Sequence, residues 1–583
     1  MKRAHWFSIL AVAAASVLAS TAAQTQTIKE VPREKTAIFE NIEGRVAIPN
    51  NMNPYIAGQY LDWGVWQGVY ESLFIFNLET GQLMPWLAES GTYNTGATEV
   101  TIRLRDGVTW SDGVPFTADD VVFTVDMLKK NTGLQYAADM SEWVDAATAS
   151  DPHTVLIKLK KPNPRFLLNF FGVRIWDTVL IAPKHIWEKV DPMTFTNFDL
   201  EKGLPVGTGP YRMVRSSETE TVFDRRDDWW GAKTGFHPLP EPERLIWIAV
   251  GGEDIRAAKL ANNELDAAWV LSRSSFEVAK KKNPKVVGWY EELPYAYLDP
   301  CPRELFFNTE AAPFSDPKVR RAISTAINRE QIAQIGYEGM TEPAESMFPT
   351  YAPLKAYLDR NKKLFEEFPV AHHDLKKTEE LMTAAGFKKD AEGIWVGADA
   401  KRVSLPIISR SGETDQLKFG PILVAQLKKA GFDASFKPIE DVTYYSDVSS
   451  GKAPAHLGSV CGSVQDPYTT FSYLHSRWYA PTGQPVPGPV ATRFRNAEFD
   501  ALIDKMGGLS ADDPSFNQLA DQALAIFNRE LPVVPLVQAR LLTPFNETYW
   551  TGWPSAKNNY VHPGHWWVSG NLIILELKPA KAQ

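Results

Sequence analysis

The stretch "SVCGSVQDPYTTF" (459–471) places Cys461, one of only two cysteines, in a Gly- and Ser-rich turn just before Asp466-Pro467. A nucleophile elbow needs Gly-x-Ser-x-Gly, and here the cysteine is off the central position. "HPGHWW" (562–567) offers two histidines separated by Pro and Gly, and His372-His373 are adjacent, so neither pair shares one helix face. No His-Glu-x-x-His helix occurs, and no metal ligand set or cofactor is expected. Carboxylates are plentiful, but spacing alone does not set two of them at the separation a glycosidase needs. "GTGPYR" (207–212) lacks the third glycine and the following helix of a dinucleotide loop, and no Walker A motif is present. Side chains suited to binding are commoner than side chains suited to catalysis: 19 Trp and 19 Tyr supply flat apolar faces with a polar handle.

At 583 residues the chain exceeds a single core, and its 44% hydrophobic and 22% charged composition is that of a globular protein. Lys2 and Arg3, the run "FSILAVAAASVLA" and the small residues "STAAQ" form a secretory leader, expected to end near residue 23. Thr21 stands where a lipid-bearing cysteine would, so an exported, unanchored periplasmic protein is expected. Without the leader's two basic residues the net charge is about −11, and no basic stripe invites nucleic acid or an anionic membrane. In an oxidising compartment the two cysteines predict one disulfide, Cys301–Cys461.

The elements that must position a site read clearly in places. In "EVTIRLRDGVTW" Val100, Ile102 and Leu104 alternate with polar residues as a strand. Thr117 caps a helix with Val121, Val125 and Leu128 on one face. Asp316 caps and Pro317 opens a second helix with Val319, Ala322, Ile323 and Ala326 buried, which Gly336 would end. "LMTAAGF" and "LKKAGF" end helices at glycine, the latter leading into a strand, so an α/β domain spans roughly 290–525.

The segments "VTIRLRDGVTWSDGVPFTADDVVFTVDML", "GTGPYR" with "DDWWG", "NELDAAWV" and "FFNTEAAPFSDPKVRRAISTAINRE", in this order, resemble the extracytoplasmic solute-binding proteins of ABC importers for peptides and nickel. The resemblance runs from about residue 45 to "LPVVPLV" at 531–537. It implies an α/β, two-lobed periplasmic-binding-protein fold (class II, cluster C) with an extra domain and a hinge between the lobes. By analogy, residues 24–66, 201–285 and 526–583 form domain I, 67–200 domain II and 286–525 domain III. The implied partners are a small-molecule ligand and the permease and ATPase subunits of an importer, with the protein itself a monomer.

Peptide-binding relatives carry an aspartate in the opening turn that receives the peptide ammonium. Aligning on Asp466-Pro467 puts Ser463 there, and residues 459–465 contain no acid. This departure points to a neutral oligosaccharide as ligand. A peptide, opine or other amino-acid derivative is the alternative on the same fold, and a secreted glycoside hydrolase the lower one. The candidate contacts are Asp62, Trp63 and Trp66, with Trp66 open to a packing role, then Trp269, and Trp478 and Tyr479. Ser463, Gln465 and Asp466 would add polar contacts, although Asp466 could simply cap the turn. Arg410 would meet an acidic ligand group or pair with Glu413. Trp187, Trp229, Trp230 and Trp247 are expected in the core.

Overall fold

In the computed structural model, which describes residues 28–42 and 44–581, two lobes are joined by paired crossing strands. The expected leader, residues 1–23, lies outside the described residues. No helix among the described residues is long and apolar enough to cross a membrane.

Two four-stranded sheets dominate the first lobe, beside a three-stranded one of Phe74–Asn77, Gln82–Pro85 and Gly172–Val173. In one, strand Thr36–Asn41 runs parallel to Arg244–Ala249, which continues antiparallel through Glu220–Arg225 to Tyr211–Ser216. The other is antiparallel: Ala88–Tyr93, Glu99–Leu104, Thr154–Leu159 and Val144–Asp151. Val100, Ile102 and Leu104 are fully buried, as their alternation demands. The helix at Ala118–Lys130 begins with a capping box between Thr117 and Asp120. Trp187, Trp229, Trp230 and Trp247 all lie in this lobe's core.

"GTGPYR" and "DDWWG" are braces of this core. Gly207 and Gly209 press against the Val69 and Gly68 carbonyls, where an added Cβ would fall 2.0 and 2.4 Å from oxygen. Arg226 donates to the Gly209 carbonyl at 2.8 Å. The indoles of Trp230 and Trp86 donate to the buried Glu71 carboxylate at 2.7 and 3.0 Å.

One six-stranded mixed sheet carries the second lobe. Its order is Glu342–Pro343, Val533–Gln538, Arg303–Phe307, Ala455–Ser459, Ser404–Arg410, Asp433–Ile439. Strand Val533–Gln538, assigned to domain I by the sequence limits, is hydrogen-bonded into this sheet, so the chain returns to the first lobe later than residue 526. Helices Leu375–Ala384 and Thr414–Lys429 are followed by Gly386 and Gly431 at φ 88° and 96°. The helix opened by Asp316 and Pro317 ends at Ala326, short of the expected Gly336. Asn328 caps a fresh turn there by accepting from the Gln331 N–H, which competes with continuing the helix.

The lobes meet through the pairs Val286–Val287 with Phe545–Asn546 and Tyr297–Leu298 with Arg540–Leu541. In the second sheet the starts of the strands at 303 and the ends of those at 410 and 459 lie along the edge nearest this crossing. That edge forms one wall of the interlobe cleft.

Candidate ligand-binding cleft

Cys301 and Cys461 are disulfide-bonded, which ties the opening turn to the chain entering the second lobe at Arg303. Behind the bond, Arg303 lies between Asp299 at 3.4 Å and Asp415 at 2.7 Å. Burial pushes the Asp299 carboxyl up to about 6, with Arg303 opposing. The turn itself is held by its own residues: the Thr470 N–H donates to Ser463 Oγ at 3.0 Å, and the Ser463 N–H to Thr470 Oγ1 at 2.8 Å. Ser463 is 1% exposed, so its hydroxyl serves this clasp.

The first lobe grips the same turn. Asp466 accepts from the Tyr468 N–H at 2.9 Å and pairs with Arg165 Nε at 2.8 Å, both side chains being buried. Asp466 thus caps the turn and links the lobes. Arg174 donates to the Gly462 carbonyl, and the Gln465 amide reaches the Gly81 carbonyl at 3.5 Å.

The remaining candidates divide between cleft, core and periphery. Trp63 and Trp66 are buried in the first core, with Trp66 edge-on to Tyr60 at 6.1 Å. Trp269 is half-buried, lies edge-on to Trp566 at 4.2 Å, and packs in an apolar cluster drawn from both lobes that includes Ile175, Leu298, Val464 and Cys461. Its backbone N–H donates to Glu40, which also binds Arg256. Trp478 donates to the Ser472 carbonyl and covers Gly488, while Tyr479 hydrogen-bonds Glu310 beneath Arg495. These last two lie away from the crossing, beyond the far end of strand Arg303–Phe307.

Tyr60 and Asp62 stand where the parts converge. Burial raises the Tyr60 hydroxyl pKa; Asp177, Tyr445 and Asp62 raise it further and Arg410 opposes, so groups from both lobes share one field. Tyr60 and Tyr445 are 47% and 55% exposed, and the Arg410 guanidinium lies over the Tyr445 ring at 5.5 Å. Asp177 accepts from the Gln135 amide at 3.0 Å, and burial raises its pKa. Arg410 is already paired, with Glu413 at 2.7 Å and Asp441 at 3.0 Å.

Sequence reasoning missed Tyr60, Asp177, Tyr445 and Asp441. Two signals were available: Tyr60 is two residues from Asp62, and Arg174 and Asp177 interrupt an apolar run. A charge inside such a run needs a polar destination, which here is the Gly462 carbonyl for Arg174 and the Gln135 amide for Asp177. Among the described residues no group of three or more His, Cys, Asp or Glu side chains could hold a metal.

Comparison with known proteins agrees with this architecture. A model of the bacterial extracellular solute-binding proteins, family 5 middle region, matches residues 82–480. The periplasmic oligopeptide-binding protein of a Thermotoga maritima oligopeptide ABC transporter superposes with a TM-score of 0.80 at 26% identity, covering 94% of this chain and all of that one. Its mannohexaose-bound structure gives 0.76 at 25%, covering 95% and 100%. The glutathione-binding protein of Pectobacterium atrosepticum is 27% identical over 339 residues, 58% of this chain and 59% of that protein's length. Heme-binding protein A of Haemophilus influenzae is 25% identical over 508 residues, 82% and 83% of the two chains. With the two lobes, the double crossing and the cleft in place, the chain belongs to the family 5 bacterial extracellular solute-binding proteins.

Proposed function

We propose that this chain is the periplasmic receptor of an ABC importer and that it captures a neutral oligosaccharide between its lobes. Tyr60 and Tyr445 carry the reading: two exposed rings, one from each lobe, near enough to feel each other electrostatically. Such a pair suits the apolar CH faces of sugar rings, and Trp269 extends the aromatic surface toward the crossing. The charges support the same class. Ser463 brings no acid to the turn, and Arg410 is neutralised by two carboxylates of its own lobe. The mannohexaose complex of the Thermotoga relative shows that a family member of this shape holds such a ligand.

A ligand bridging the lobes stabilises the closed form by its higher affinity for closed than for open. The closed protein then docks on a permease in another chain, with ATP hydrolysed by a separate subunit. The domain limits read from the sequence belong to this proposal, with the return crossing moved to the segment after Gln538.

A peptide or other amine-bearing ligand is the second reading. Asp62 and Asp177 favour it, because both stand close enough to Tyr60 to act on it and would offset an ammonium. Tryptophan and tyrosine fluorescence of the mature protein, refolded to strip bound ligand, separates the two. Saturable change with neutral glycans, weakened at least about tenfold in Tyr60→Ala and Tyr445→Ala, supports the sugar reading. Saturation by peptides alone overturns the ligand class. Stoichiometric binding without product release excludes a glycoside hydrolase.

A further inference from the structure

Residues 160–166, "KKPNPRF", form the tip of a first-lobe loop that reaches the second lobe. The tip is stiff. Pro162 and Pro164 fix φ on either side of Asn163, whose side-chain oxygen accepts from the Arg165 N–H at 3.1 Å. The Asn163 N–H donates to the Ala97 carbonyl at 2.8 Å, and Phe166 is fully buried in the first core, so both sides of the tip are anchored in its own lobe.

From this tip Arg165 projects into a socket made by the second lobe. Its Nε pairs with Asp466, its Nη1 donates to the Leu509 carbonyl, and the guanidinium lies over the rings of Tyr468 and Phe516. Phe516 belongs to the second lobe's own apolar cluster, against which Tyr468 and Leu509 pack. Pro162 stands against the same wall: a Cβ added to Gly508 would lie 3.5 Å from it. Arginine suits the socket because its planar fork meets a carboxylate, a carbonyl and ring faces together, which a lysine ammonium does not. The remaining nitrogen, Nη2, is buried with no hydrogen-bond partner among the described residues. Separating the lobes would return it to water, so the contact can be released as well as made.

We infer that Arg165 is a latch that keeps the ligand-free protein mainly in the closed form, ahead of any solute. Every group in the socket belongs to the protein, and a buried contact between the two lobes cannot survive their separation. Closure of this kind is independent of which solute the cleft takes. A closed form that is already populated relieves binding of the cost of closure, so the latch raises affinity for all ligands by one common factor.

Small-angle X-ray scattering of the mature protein, refolded to strip bound ligand, tests this on the wild type, Arg165→Met and the double variant Arg165→Met with Asp466→Asn. Circular dichroism checks each fold. The double variant removes the stranded carboxylate together with the bond, so it decides the matter if the single variant does not fold. The expected result is a wild type at least about nine-tenths closed and folded variants of larger radius of gyration, about half closed or less, a shift of about tenfold in the closure equilibrium. A ligand-free wild type that is mainly open overturns the latch, and so does a folded variant as closed as the wild type. Either result leaves the oligosaccharide reading standing, because that reading rests on Tyr60 and Tyr445.

Discussion

Replacing Arg165 by methionine should cost more stability than any exposed charge deletion in this protein. Its guanidinium pairs with Asp466 at 2.8 Å, donates to the Leu509 carbonyl at 3.0 Å and lies over the rings of Tyr468 and Phe516 at 4.6 and 5.0 Å. The two side chains are only 6% and 8% exposed, so the pair is shielded from solvent. At an effective dielectric constant near 20, charges about 4 Å apart attract by about 4 kcal/mol. Removing one partner leaves a buried carboxylate uncompensated, which typically costs about 3–5 kcal/mol. The double variant Arg165→Met with Asp466→Asn should recover at least half of that loss, because it removes the stranded charge as well. Urea unfolding followed by fluorescence measures both, read as shifts of midpoint at constant slope. Because the partners belong to different lobes, ligand affinity should fall with stability wherever the pair forms only in the closed state. A loss under about 1 kcal/mol for Arg165→Met, or a double variant no better than the single, would refute the reasoning.

Glu71 gives a pH prediction. Burial raises its carboxyl to about 7 despite the two indole donors, above the ordinary value of 4.5. A carboxyl with a raised folded pKa contributes fully below its unfolded pKa and loses that contribution as pH climbs through the folded one. Stability should therefore fall by about 3 kcal/mol from this group as pH rises from 4.5 to 7, and Glu71→Gln should make the slope shallower across that range, the buried Asp266, Asp299 and Glu304 supplying what remains. An unchanged slope in the variant would assign the dependence elsewhere. His565 acts in the opposite sense: burial lowers its pKa to about 4, so its neutral form stops favouring the fold as pH drops from 6.5 through 4, and acid unfolding should shift to lower pH in His565→Gln. For the disulfide, whose cysteines are 160 residues apart, Cys301→Ser with Cys461→Ser should cost about 2–5 kcal/mol by thermal melt, and reductant should lower the wild-type melt alone.

What the sequence disclosed follows the range of the forces involved. The strand at 99–104, the capped helix at 118–130 and the glycine stops at 386 and 431 depend on neighbours a few residues away, and their patterns were readable. The second-lobe helix is shorter than its pattern because Asn328 acts as a cap inside what scans as one amphipathic run. Roles that depend on distant partners were not readable. Asp466 looked like a turn residue or a ligand contact, and its partner Arg165 lies 301 positions away. Spacing alone offers Arg410 either a ligand acid or Glu413; the local partner is there, and Asp441, 31 residues on, joins it. Alignment marks Ser463 as the place of a missing anchor, and its hydroxyl is engaged by Thr470.

The same long-range contacts bear on how such a receptor discriminates among solutes. The interlobe bonds of Arg165, Arg174 and Gln465 all reach the 459–471 turn, so the turn closes against the first lobe through groups that belong to the protein. These bonds lower the energy of closure for any ligand alike, and equal help to all ligands confers no selectivity. Selectivity must then come from groups left open to the solute, such as the exposed rings of Tyr60 and Tyr445. The turn then governs how readily the lobes close, and the open rings govern on what.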